Sequence, residues 1–503
     1  MNWKIIAKSL GHKDMRGRLL AVLGILLIFR ILAHIPVPIG NAETLHQVLQ
    51  NLFNAENTPQ LLSFINVLSG GALANFSIMI AGLGPYINAS IIMQLLTKAV
   101  PQLEALRKEG EFGQKKINQY TRMLTLPLAV IQAIGSIYLI RQAAQSLGGI
   151  GDITATTSPM QWVLMVAALT GGSMLLMWMG ELVTEKGVGN GISLLITVGI
   201  VSSLPSELGQ IISAGTAGAS DLSLLGVGLP FSKGELIYAS ILLAAVLLVT
   251  WLVVMLNEAA RNLTVNYAKR VQGNRAYGGV TTVLPVKLIT AGVVPIIFAV
   301  AFLSVPSFAG QLLSGVANPQ WAQLGQNLVT WFQAPTAATF ATEGLTAYIY
   351  PATYFFLVFA FTFFYTSITF NTQEIAENLH KQGGFIEGVR GGKETEKYLA
   401  KIINRLTLFG AASLGLLAVM PVLGQRYITV SITLGGTSIL ILVSVALQTL
   451  RAVESRALMV TYDQYSEPDF FYEPEAPADA ATGGSRLKFS RRLLDRAKPG
   501  NKR

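Results

Sequence analysis

The chain has 503 residues, about half of them hydrophobic and only 13% charged, with a formal net charge of +10. It has no cysteine, which excludes a disulfide framework, an iron–sulfur cluster and a cysteine nucleophile. Four scattered histidines argue against an all-protein transition-metal site, so neither metal nor cofactor is expected. Apolar runs of about 20 residues recur, the length that crosses about 30 Å of hydrocarbon as a helix. Backbone groups in lipid pair within the span, so these runs predict a polytopic helical bundle and not a β-barrel, which alternates over about ten residues.

In chain order, residues 1–18 form a basic segment, and the apolar run behind it is longer than a signal peptide's and lacks a small-x-small cleavage site. The first span, 19–38, carries Arg30, which either snorkels outward or pairs inside the bundle. "FINVLSGGALANF" (64–76) follows, too short and too rich in small residues to span, yet too apolar for a solvated loop. Further spans are expected at 76–97, 121–141, 160–180, 188–205, 236–256, 286–305, 347–369, 405–423 and 432–450. No Lys or Arg lies between Arg30 and Lys98, between Arg141 and Lys186, or in 306–345. Residues 1–18, 98–122, 258–287 and 371–405 are studded with both, so the positive-inside rule predicts cytosolic loops there and cytosolic termini. Loops 258–287 and 371–405 are long enough to suggest function.

Ten spans divide into five and five, and an odd count makes the halves face opposite ways. "AGLGPYINAS" (81–90) and "AGVVPIIFAV" (291–300) each carry a proline that interrupts the second span of a half. "GVGNGISLLI" (187–196) and "LGGTSILILV" (434–443) each put glycines before Ile and Ser in the fifth span. Breaks at matching positions of an inverted repeat point to a functional centre between the halves, near mid-membrane. Around them stand Leu83, Ile87, Ile192, Ile196, Ile297 and Ile441, with Asn88 and Asn190 nearby and no carboxylate. Branched aliphatics bind nothing tightly, but they form a dry seal that deforms around a passing object. A secondary transporter of a small solute is the rival reading, and it would place charged or several polar groups at that centre. No phosphate-binding Gly-x-x-x-x-Gly-Lys-[Ser/Thr] and no catalytic constellation is found, so the chain does not read as an enzyme.

"LSGGALANFSIMIAGLGPYINASIIMQLL" (68–96), "EGEFGQKKINQYTR" (109–122), "GELVTEKGVGNGIS" (180–193), "VNYAKRVQGNRAY" (265–277) and "EIAENLHKQGGFIEGVRGG" (374–392) resemble the SecY family, the channel subunit of the bacterial Sec protein translocase. The resemblance runs from about residue 15 to about 460 in unbroken order. It implies an all-α polytopic protein of the bacterial plasma membrane, with ten helices in two inverted five-helix halves (19–205 and 236–450) joined by the external connection 206–235. It also implies a re-entrant plug helix at 61–74, with Phe64, Ile65, Val67, Leu68 and Leu73 as its apolar face and Gly70 and Gly71 as a hinge.

By the same resemblance, Leu83, Ile87, Ile192, Ile196, Ile297 and Ile441 match the pore ring. A lateral gate lies between spans 2–3 and spans 7–8, where Pro85 and Pro295 offer points of flexure. Asn88 and Gln94 either set the threshold for opening that gate or make ordinary interhelical hydrogen bonds. Implied partners are the SecE and SecG subunits, the SecA motor ATPase, the ribosome, nascent secretory and membrane polypeptides, and anionic lipids. Lys269, Arg270, Arg275 and Arg390 are the candidate docking residues for rRNA phosphate or an acidic protein surface. The chain departs from the family pattern at Asn262, Asn274 and Gly391, which bears on docking strength. Beyond the resemblance, the tail 451–503 reads as disordered from about 461. From about 461 it holds six acids up to Asp479, then eight Lys or Arg from Arg486 onward. Its basic end either touches rRNA or anionic lipid or is simply solvated.

Overall fold

A computed structural model describes residues 13–37, 69, 72, 76–146, 158–216, 222–224, 227–229, 233–267, 270–272, 275–277, 279, 281–314, 316, 318–335, 337–342, 344–424, 426 and 436–466. Helices dominate: α1 Lys13–Leu32, α2 Gly84–Ala99, α3 Pro101–Lys108, α4 Glu111–Ser146, α5 Pro159–Lys186, α6 Gly191–Thr216 and α7 Lys233–Glu258. The later ones are α8 Val294–Ser314, α9 Pro319–Phe332, α10 Ala337–Thr342, α11 Ile349–Thr369, α12 Thr372–Lys381, α13 Lys393–Gly424 and α14 Gly436–Ser466. Among the described residues, five helical stretches are long and apolar enough to cross a membrane: Pro159–Lys186, Val294–Ser314, Thr346–Lys381, Lys393–Gly424 and Ser438–Met459. Local chemistry sets their ends. Ser158 and Gln161 form a reciprocal capping box ahead of α5, with Pro159 in the first turn where a missing N–H costs nothing.

Four expectations need correction. The second and seventh spans do not begin at 76 and 286, and neither proline interrupts a helix: α2 starts at Gly84 and α8 at Val294, with Pro85 and Pro295 in their first turns. A proline there removes no intrahelical bond, so these positions start helices and do not kink them. The fifth helix runs on to Thr216, through Pro205, into the stretch expected to be external connection. The last helix continues to Ser466, past the expected onset of disorder near 461; the first proline beyond it is Pro468. Finally, the protein is mostly but not wholly α.

The strands lie mainly in the two long loops. Strand β3 (Ala260–Tyr267) pairs antiparallel with β6 (Thr281–Lys287) on one side and with β7 (Gly384–Ile386) on the other. Two short hairpins complete the set: β1 (Leu222–Leu224) with β2 (Val227–Leu229), and β4 (Arg270–Gln272) with β5 (Arg275–Tyr277). Leu263, Val265, Val286, Ile386, Ala376, Leu379, Leu399 and Ile402 build a separate apolar core under the three-stranded sheet. The two long loops therefore form one small folded unit.

Candidate functional site

The two proline-bearing motifs fold alike. In each, an irregular buried lead-in precedes the helix, and a glycine three residues before the proline adopts a left-handed φ: 58° at Gly82 and 62° at Gly292. A side chain is disfavoured at that angle. Each lead-in also presses against a glycine of a long helix. A Cβ on Gly172 of α5 would lie 2.0 Å from the Ile78 carbonyl oxygen, and one on Gly410 of α13 would lie 2.6 Å from that of Leu288. Ile78 and Leu288 each stand seven residues before their proline. Ser173 secures the first lead-in by donating to the Gly82 carbonyl at 2.9 Å, and Thr290 secures the second through a 3.3 Å hydroxyl contact with Thr366 of α11.

Non-helical backbone at membrane depth persists only where its polar groups are paired. The first lead-in meets this condition at the end of α1. Phe76 accepts from the Val37 N–H, Ile78 donates to the Ile35 carbonyl, and the Ser77 hydroxyl donates to the Leu32 carbonyl. Phe76 itself is buried with φ of 43°, the single non-glycine left-handed residue among those described. The strained joint thus lies at Phe76, a position that hydropathy gives no reason to select. The plug residues Phe64, Ile65, Val67, Leu68, Gly70, Gly71 and Leu73 lie outside the described residues.

The lead-ins bring the aliphatic set together. Leu83, Ile87, Ile196, Ile297 and Ile441 are all buried in one cluster with Ala72, Met79 and Val293, and Ile192 packs against it. They come from the starts of α2, α6, α8 and α14, so four chain segments contribute to one buried apolar cluster. Asn190 is accounted for locally: its carboxamide oxygen accepts from the N–H groups of Ile192 and Ser193 and caps α6. Helices α2 and α8 contain no Asp or Glu.

Helix α8 contacts both α2 and α4. Gly135 of α4 leaves room for the Phe308 ring of α8, which stands where a Cβ would be. Asn88 is half-buried, and Gln94 donates to Ser90 one turn back on its own helix at 3.1 Å. Arg30 donates to the Ser202 hydroxyl of α6 at 2.9 Å, so it pairs inside the bundle. Arg107 of α3 donates to the Ile368 carbonyl at 2.9 Å, near the end of α11. The sequence reading did not select it.

At the sheet, Arg390 is exposed while its carbonyl accepts from the buried Thr395 hydroxyl at 3.0 Å. A Cβ on Gly391 would come within 3.1 Å of His380 Nδ1. Arg270 and Arg275 fall in β4 and β5, and Lys269 and Asn274 lie outside the described residues. Asn262 is exposed opposite Pro285. Burial, then the nearby Arg451, pushes the Lys287 ammonium below the usual lysine range, with Glu258 opposing. Arg451 itself bonds Glu258 at 2.5 Å and ties α14 to α7.

Apolar helices of spanning length, two of them entered through buried non-helical lead-ins, and a buried aliphatic cluster between them define a multi-pass membrane fold. The comparisons agree. The sequence profile of the SecY family matches residues 77–450. The chain is 38% identical over 465 residues to a protein translocase subunit SecY of Streptomyces galbus, covering 91% of this chain and 98% of that one. It is also 38% identical to the SecY of Mycobacterium tuberculosis H37Rv over 464 residues, with the same coverage. A solved protein conducting channel shares the fold at TM-score 0.57 and 17% identity, covering 89% of this chain and 94% of that one. So does Sec61 of a canine ribosome–channel complex, at TM-score 0.51 and 16% identity, with the same coverage. The chain belongs to the SecY family.

Proposed function

We propose that this chain is the channel subunit of a protein translocase in a bacterial plasma membrane, with both termini cytosolic. Unfolded secretory polypeptides cross through it, and membrane spans leave it sideways into lipid. It is a passive conduit, not an enzyme; a partner supplies the energy. Ten spans form two inverted halves, 19–205 and 236–450, around a pore ring of Leu83, Ile87, Ile192, Ile196, Ile297 and Ile441. Residues 61–74 act as a plug in the outer funnel, and the gate opens between α2–α4 and α8–α11. The relatives' shared name supports the reading, as does a SecY structure described as having a plug domain that stabilises the closed state.

The observation that carries it is that the six aliphatic residues at four helix starts lie in or against one buried apolar cluster. Such a surface seals without binding, which suits a polypeptide of any sequence and suits a transporter of one solute poorly. Docking belongs to the sheet unit, through Lys269, Arg270, Arg275 and Arg390, and takes the ribosome or SecA. SecE and SecG complete the complex, and Asn88 and Gln94 set the polarity of the gate. Ribosome binding by a Sec61 relative supports the docking assignment.

The test places a photocrosslinker at Ile192 or Ile297 in native membranes and presents a ribosome-stalled secretory chain. Crosslinks from both positions to that chain are expected. Silence at both with the ribosome demonstrably bound would overturn the reading.

A further inference from the structure

Helix α9 has an apolar stripe that the channel reading leaves unused. Helix α9 packs back against the end of α8, where Gly310 and Gly325 bring the two backbones into contact. Trp321, Leu324 and Trp331 remain exposed at 52%, 47% and 41%. At 100° per residue they fall within an arc of about 80°. Gln320, Asn327, Gln323, Thr330 and Gln326 fill the adjoining arc of about 120°, and α9 contains no charged residue. Measured from the facing glycines, Leu324 and Trp331 turn in the same sense as the exposed Phe302 and Val305 of α8. In an antiparallel pair that puts all four on one flank.

We infer that α9 lies in the outer membrane–water interface, with the Trp321–Leu324–Trp331 stripe seated in lipid beside α8. The apolar flank of a spanning helix already faces hydrocarbon, and the stripe continues it outward. Tryptophan is favoured at that depth, with its ring in the acyl boundary and its N–H toward the headgroups. No Asp, Glu, Lys or Arg occurs between Lys287 and Glu343, so the seat rests on apolar and aromatic contact and not on headgroup charge. The amide-rich face is left to water. The anchor holds the outer end of α8, one wall of the proposed gate, at a fixed depth. The inference rests on α8 being a membrane span.

Because the chain has no cysteine, single spin labels can be placed without a cysteine-free background. The full-length chain with Leu324→Cys, Gln326→Cys or Val305→Cys is labelled and reconstituted in phosphatidylethanolamine–phosphatidylglycerol vesicles. Relaxation by oxygen and by a water-soluble nickel chelate is then compared. Labels at 324 and 305 should favour oxygen over nickel several-fold more than the label at 326. Trp331→Cys is a second reporter on the stripe should Leu324→Cys fail to insert. Nickel access at 324 and 331 equal to that at 326 would put the stripe in water and overturn the proposal. Shielding from both reagents would mean protein covers it, a partner or a second copy, and would overturn it too. Nickel access at 305 would instead refute α8 as a span, which separates the two failures.

Discussion

The Arg107 guanidinium donates to the Ile368 carbonyl at 2.9 Å, joining residues 261 apart in sequence. Arg107 sits on the short helix between α2 and α4, and Ile368 on the last turn of α11, so the bond bridges the two sides of the proposed gate at its inner edge. A charged donor at a helix C-terminus also meets the negative end of the backbone dipole.

Arg107→Ala should loosen the gate. A charged hydrogen bond contributes about 1.5–3 kcal/mol, and the half-exposed setting argues for the low end, about a tenfold shift in the closed-to-open ratio. Translocation of substrates with weakened signal sequences should rise. An unchanged signal requirement would show that the bond does not hold the gate.

Gly172→Ala should destabilise the protein more than Gly410→Ala. The added methyl would meet a backbone oxygen at 2.0 Å in the first case and at 2.6 Å in the second. Backbone gives way less readily than a side chain, so overpacking of at least about 1–3 kcal/mol is expected at Gly172. Thermal unfolding of the purified protein in detergent checks the order, and the reverse order would contradict the close approach.

Replacing the six ring residues with serine should open an ion leak and relax selection of signal sequences. In lipid, aliphatic packing is held by contact more than by water's exclusion. Truncation there forfeits contacts and leaves a cavity, at about 2–4 kcal/mol per position. Conductance of reconstituted vesicles reads the seal. If leak and selectivity both stay at parental levels, the ring is core and no seal.

Deleting residues 64–74 should leave the resting pore permeable to small ions, measured as dye or ion flux from sealed vesicles without any translocating chain. Normal impermeability would remove these residues from the plug.

Arg390→Glu should impair partner-driven translocation while the channel still inserts in the membrane. Its side chain is exposed and only its carbonyl is used internally, so folding has little to lose. Full translocation with the reversed charge would take Arg390 off the docking surface.

Much of this was legible in the chain. Apolar runs located the helices, and lysine and arginine located the long loops. The repeated Ala-Gly-x-x-Pro of residues 81–85 and 291–295 marked the two buried lead-ins. What that repeat means was not legible, because hydropathy cannot separate a proline that kinks a helix from one that begins it. A glycine three residues earlier was the available clue. The strands were hidden by polarity: Ala260–Tyr267 buries Leu263 and Val265 in alternation, but within a basic loop that signal is short. Arg107 could not have been chosen, since nothing local distinguishes it from Lys108.

The three-stranded sheet has a mechanical consequence. Its strands lead directly from α7 and toward α8, and the loop that carries β7 lies between α11 and α13. By chain connection the unit joins α7, α8, α11 and α13, so in the proposed arrangement a load on it passes first to four helices of the second half. A docked partner would hold a lever fixed to one leaf of a two-leaved door, so a push of any direction becomes relative motion along the seam.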